Sequence, residues 1–215
     1  MQKLAEAITG QRPIDQGQVF VDGVETTHWS PRDYIDHNVA VITDDRHGEG
    51  LVLKFDLARN AVLKLFKRPP FARQGLLDGG AIDSFTRKLI ETFNVSTPGP
   101  HVAVGTLSGG NQQKLILARE LSQSPDLIIA NKPTRGLDIG AAAYIHHKLA
   151  EERARGAAIL LISADLDELF ALSDRILVMY EGQAMGLVPV KAADMEKLGL
   201  MMAGTPLAEL RRERS

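Results

Sequence analysis

Leu107-Ser108-Gly109-Gly110-Asn111-Gln112-Gln113-Lys114 runs without a break into Leu115-Ile116-Leu117-Ala118-Arg119-Glu120-Leu121. The reading of this stretch decides the fold. The apolar spacing predicts a helix over 109–121. Ser108 stands where a side-chain oxygen caps the first turn. Gly109 and Gly110 carry no Cβ, so backbone N–H groups lie open to an anion, and the helix N-terminus adds partial positive charge. Together these features describe a phosphate site. Ser-Gly-Gly on its own is also a plain helix-capping turn.

Downstream the pattern alternates. The apolar run Leu127–Ala130 predicts a strand and residues 141–155 a helix closed by Gly156. Residues 157–162 predict a second strand, 166–172 a helix, 175–180 a third strand, and Glu181-Gly182 a turn into a fourth over 183–188. Alternating α and β with uninterrupted apolar strands predicts a parallel sheet covered on both faces. Upstream, residues 4–8 read as a short helix, and Asp22-Gly23 marks a hairpin within Gln18–Glu25. Ser30-Pro31-Arg32-Asp33 starts a helix, and residues 39–43 form a short strand. Residues 57–68 and 81–93 have helical spacing, so 57–106 is expected to be a helical insert between strand-bearing flanks.

Composition removes several classes. The 215 residues make about one and a half domains at roughly 150 residues each. Hydrophobic residues make up 44%, enough to exclude a disordered chain. With 25 Lys and Arg against 27 Asp and Glu, no basic excess exists to neutralise a nucleic-acid backbone. The absence of cysteine removes disulfides, thiolate zinc sites and a thiol nucleophile, and fits a cytosolic protein. The apolar stretch 156–164 has nine residues, against roughly 20 for a spanning helix. The first ten residues lack the apolar core of a signal peptide. His146 and His147 are adjacent and point to different helix faces, so no protein-bound metal is expected. Lys64, Lys67, Arg68 and Arg73 read as a solvated helix face.

LSGGNQQK followed by LILARELSQSPDLIIA closely resembles the signature segment of ATP-binding-cassette (ABC) ATPases. Other matches follow in family order. Asn131-Lys132-Pro133-Thr134-Arg135-Gly136-Leu137-Asp138 is similar to the end of the Walker B strand and the D-loop. Leu160–Gly186 is similar to the switch region, and Val39–Leu53 resembles the Q-loop segment in the form found in sugar- and nucleoside-type importers. Those importers fuse two ATP-binding halves, and this chain resembles the second. The resemblance implies an α/β fold: a P-loop-NTPase-like core (1–56 and 107–205) with a parallel sheet, a helical subdomain (57–106) and a tail (206–215).

Departures from the family pattern shape the functional expectation. No G-x-x-x-x-G-K-[ST] occurs in these residues. The resemblance places that loop just ahead of Leu4, so the unit is expected to be cut inside the motif and to lack the Walker A strand and loop. Without that buried strand the chain is expected to be marginally stable or to aggregate in isolation. The Walker B carboxylates fall on Asn131 and Lys132. Lysine, with a reference pKa of about 10.4, is no general base at neutral pH. The Q-loop position holds Asp44, and the switch histidine position holds Ala164. No catalytic residue is therefore expected in the chain itself.

The signature, by contrast, is nearly intact. The resemblance implies that Ser108, Gly109, Gly110, Asn111 and Gln112 bind ATP in trans, at a site for ATP and Mg²⁺ shared with a homologous ATP-binding half. Gly136, Leu137 and Asp138 would close that interface. The implied partners are this half, membrane permease subunits and, indirectly, a substrate-binding protein, with a cytoplasmic position at the inner face of the membrane. Leu51-Val52-Leu53-Lys54-Phe55 would line the permease groove or pack in the core. The competing expectation is a remnant or binding module that neither binds nor hydrolyses ATP.

Overall fold

The computed structural model describes residues 2–212. The chain opens with helix α1 (Gln2–Ile8) and a hairpin of β1 (Phe20–Val21) and β2 (Val24–Glu25). Asp22 and Gly23 hold the turn at φ 49° and 75°, the left-handed pair that a two-residue hairpin requires. Helix α2 (Pro31–Asp36) starts at the expected Ser30 cap, in a capping box. Ser30 Oγ accepts from the Asp33 N–H, and the Asp33 carboxylate accepts from the Ser30 N–H. Strand β3 (Val39–Ile42) follows.

The segment 57–106 is less helical than its spacing predicts. Helix α3 stops at Ala61 (Leu57–Ala61), and 62–68 continue as three-residue turns, with Leu65 N–H on Val62 O and Arg68 N–H on Leu65 O. The tightening turns Val62 and Leu65 onto Phe71 and Ile82 in a small separate core. A second hairpin, β4 (Ala72–Arg73) and β5 (Leu76–Leu77), turns on Gln74 and Gly75 at φ 51° and 81°. Helix α4 (Gly79–Thr92) is capped by Asp78, two residues earlier than the apolar spacing indicates.

In the second half, α5 (Gly109–Leu121), β6 (Leu127–Asn131), α6 (Ile139–Arg155), β7 (Ala158–Ile162) and α7 (Leu166–Leu172) follow the predicted rhythm. Strands β3, β6 and β7 form a parallel sheet in that order, with Val39 opposite Leu127 and Asn131 opposite Ile162. The parallel reading does not extend further. Strands β8 (Arg175–Tyr180) and β9 (Gln183–Pro189) make a separate antiparallel hairpin, because Glu181-Gly182 reverses the chain tightly and each strand takes its partner from the other. Helices α8 (Met195–Met202) and α9 (Leu207–Arg212) cover that hairpin. The expected tail thus begins as a helix, with Leu207 and Leu210 packed on the second core. The expected fraying at 213–215 lies outside the described residues.

Alternation along the sheet explains its two covers. Ala40, Ile42, Ile128 and Ala130 face α5 and α6 in the main core, which also takes in Leu57, Ala61, Leu89 and Val104 from the helical insert. Val39 and Ile129 face the other way, onto Tyr34 and Ile8. The edge strand β3 has an outward N–H at Val41, and buried Glu120 of α5 accepts it (3.2 Å). Lys64 and Arg119 neutralise the same carboxylate. Burial pushes the Glu120 carboxyl up, but the charges of Lys64 and Arg119 outweigh it and hold the group below the ordinary glutamate value.

Candidate functional site

The signature segment lies where a helix start meets two loops. Ser108 is the N-cap of α5, its hydroxyl accepting from the Asn111 N–H (3.4 Å) and from Asn111 Nδ2 (3.0 Å). Asn111 Oδ1 accepts from the Ser96 N–H (2.8 Å), which ties the preceding loop to the cap. Gln112 is buried. Its amide nitrogen donates to the Val104 and Leu107 carbonyls (both 3.2 Å), which fixes the oxygen as acceptor for His47 Nε2 (3.0 Å). Asn111 and Gln112 therefore hold the segment together, while Ser108 and Gly109 stand at its outer face.

The two glycines have different surroundings. A Cβ on Gly110 would meet Ala141 Cβ at 3.2 Å, so this glycine lets α5 approach the start of α6. A Cβ on Gly109 would meet only the Arg46 guanidinium, with Nη2 at 3.7 Å. The same nitrogen lies 3.7 Å from a Cβ built on Gly136. Arg46 belongs to a single π-helical turn (Arg46–Gly50) capped by the Asp45 carboxylate, and its Nη1 donates to the Arg135 carbonyl (3.0 Å). No carboxylate lies within salt-bridge reach of Arg46 among the described residues. Sequence reasoning missed Arg46. It lies 89 positions from the carbonyl that aims it, and only the two closely spaced glycines, Gly48 and Gly50, hint at an unusual turn.

The D-loop residues lie beside this face. Gly136 takes φ 68°, Leu137 packs against the main core, and Asp138 caps α6 by accepting from the Ala141 N–H (2.8 Å). Ile139 follows with 89% of its surface exposed. Below the loop, Thr134 Oγ1 and His146 Nε2 both reach Glu168 Oε1 at 2.8 Å, joining the loop to α6 and α7. Ala164, at the switch position, is exposed and apolar.

Asp44 lies two residues beyond the end of β3 and collects three partners. Its Oδ1 accepts from Asn131 Nδ2 (2.9 Å), and its Oδ2 faces Lys132 Nζ (3.3 Å) and Arg135 Nη1 (3.2 Å). Lys132 has a left-handed backbone, φ 43°, and its N–H donates to Ile162 O of β7 (2.7 Å). The basic residues expected to form a solvated face are partly engaged: Lys64 pairs with Glu120, and Arg68 pairs with Asp36. The histidine pair divides as its spacing requires, His146 onto Glu168 and His147 onto Glu151. No described helix is long and apolar enough to cross a membrane.

Comparison with known proteins gives the family of the chain. Residues 3–135 match the family model described as "ABC transporter". The nucleoside import ATP-binding protein NupA of Lactococcus lactis is 42% identical over 207 residues, covering 96% of this chain and 41% of that protein. The guanosine import ATP-binding protein NupO of Bacillus subtilis is 41% identical over the same shares of the two chains. The chain thus spans about two fifths of the length of these curated relatives. A dimeric ATP-binding cassette in a post-hydrolysis state, bound to ADP and phosphate, superposes with a TM-score of 0.72 at 18% identity, over 88% of this chain and 80% of that one. The signature helix, the parallel sheet and these matches together assign the chain to the ABC transporter family as an ATP-binding domain.

Proposed function

We propose that this chain acts in an ABC importer for nucleosides or sugars and presents its signature segment in trans to ATP held by a homologous half. One observation carries the reading. Ser108 Oγ, the start of α5 and the Arg46 guanidinium gather on one face, and no carboxylate forms an ion pair with Arg46 among the described residues, electrostatics that suit a triphosphate. In this reading Ser108, Gly109 and Arg46 meet the γ-phosphate. Asn111 and Gln112 act by holding the cap and His47 in place. Gly136, Leu137 and Asp138 shape the neighbouring loop, and exposed Ile139 meets the partner half.

The chain itself supplies no hydrolytic carboxylate at Asn131, Lys132 or Ala164. The general base and the Mg²⁺ that accompanies ATP come with the partner half. Val52 and Phe55 stay exposed between the Q-loop turn and α3, while Leu51 is core, so the two exposed residues face the permease. A cytoplasmic position at the membrane follows from that docking.

The test is ATPase turnover of the assembled importer. Ser108→Glu is expected to abolish it by placing a carboxylate against phosphate. Arg46→Ala is expected to lower it by about tenfold or more, the loss of one charge-assisted hydrogen bond to the transferring group. Unchanged turnover in Ser108→Glu overturns the reading.

A further inference from the structure

The family implies a divalent cation beside the strand ends that Asp44, Asn131 and Lys132 occupy. The residues present do not fit one. Magnesium is held by oxygen, through one or two carboxylates with near-octahedral geometry. Here a single carboxylate, Asp44, faces two fixed cations, Lys132 and Arg135. The neighbouring oxygen, Asn131 Oδ1, is neutral, buried and without a hydrogen-bond partner. Glu6 and Glu49 line the same cavity as Asp44 and Asn131, but each is engaged, Glu6 with Arg12 and Glu49 with the Thr43 hydroxyl. The described residues hold no group of three metal-ligating side chains. The Asp44 charge is thus already met by two cations, and the oxygens left beside it do not complete an octahedral set.

We propose that Lys132 and Arg135 occupy the electrostatic place of the divalent cation and make this corner a metal-free latch. Asp44 is mostly buried, so its charge must be met, and the half-buried Lys132 and the more exposed Arg135 meet it. The latch joins the end of β3 to the loop after β6. Through Arg135, whose carbonyl holds Arg46, it also sets the guanidinium beside the signature. The left-handed turn at Lys132, anchored on β7, carries the ammonium back over Asp44. Nucleotide and metal brought by a partner leave this corner unchanged. The proposal does not depend on the trans-signature reading.

The experiment uses the whole chain and needs no partner. Mn²⁺ is added at up to millimolar concentration and followed by electron paramagnetic resonance, and melting is compared in EDTA and in Mg²⁺. The expected result is no stoichiometric Mn²⁺ uptake and the same Tm in both. Lys132→Gln and Arg135→Gln should each lower Tm by about 2–4 °C, equally with and without Mg²⁺. Asn131→Asp with Lys132→Glu should gain Mn²⁺ binding that EDTA reverses. A single Mn²⁺ bound by the parent chain and lost in Asp44→Ala overturns the proposal. So does an unchanged Tm in both glutamine variants.

Discussion

Gly109 and Gly110 are neighbours with different reasons to be glycine. Gly110 sits against Ala141, and a β-branched side chain there has nowhere to go within the α5–α6 contact. Gly110→Val should cost about 1–3 kcal/mol of stability, seen as a lowered Tm in thermal unfolding. Gly109 meets only one flexible guanidinium, so Gly109→Ala should keep its Tm within about 2 °C of the parent value. Under the proposed function the same substitution is expected to impair turnover in the assembled importer. The motif singled out both glycines but not this division, which depends on where α6 and the Arg46 turn lie. Ser108 was legible because an N-cap is a local device. Arg46 and Glu168 were not. Their roles depend on partners such as Arg135 and His146, 89 and 22 positions away, and no sequence period reports such a meeting.

At the scale of elements, the helix starts were legible at the Ser30 and Ser108 caps, while the helices capped by Asp78 and Asp138 begin two residues before their apolar spacing does. The early end of α3 was not legible, because buried Asn60 turns its side chain back onto Val52, Phe55 and Asp56. The hairpin at Gln74-Gly75 escaped because its strands are two residues long and carry no alternation. Packing between elements supplies a prediction of its own. The Glu120 side chain, 1% exposed, ties α5 to β3, to Lys64 and to Arg119. Glu120→Ala should cost about 3–5 kcal/mol by leaving buried Arg119 without its counter-charge. The folded carboxyl lies below the ordinary glutamate value, so its stabilising contribution is complete above about pH 4.5 and is lost as pH falls through the folded value. Acid unfolding monitored by circular dichroism should begin at higher pH in a variant that lacks the Lys64 charge, such as Lys64→Met.

For the whole molecule, the alternation of apolar strands and amphipathic helices announced a parallel α/β sheet, and three strands realise it. Strands β8 and β9 pair with one another because a tight Glu181-Gly182 turn outcompetes a distant parallel partner. Strand β7 is left as an edge of the sheet, with Leu160 40% exposed on it. Such an edge recruits other strands, and aggregation on mild heating, followed by light scattering, is the expected behaviour. Leu160→Lys should slow it roughly several-fold while leaving the cooperative core intact. The opposite edge behaves differently, for the Val41 N–H is already held by Glu120. The sheet therefore has a direction of growth. It is closed at β3 by a buried carboxylate and open along β7, so any further strand can join it at one side only.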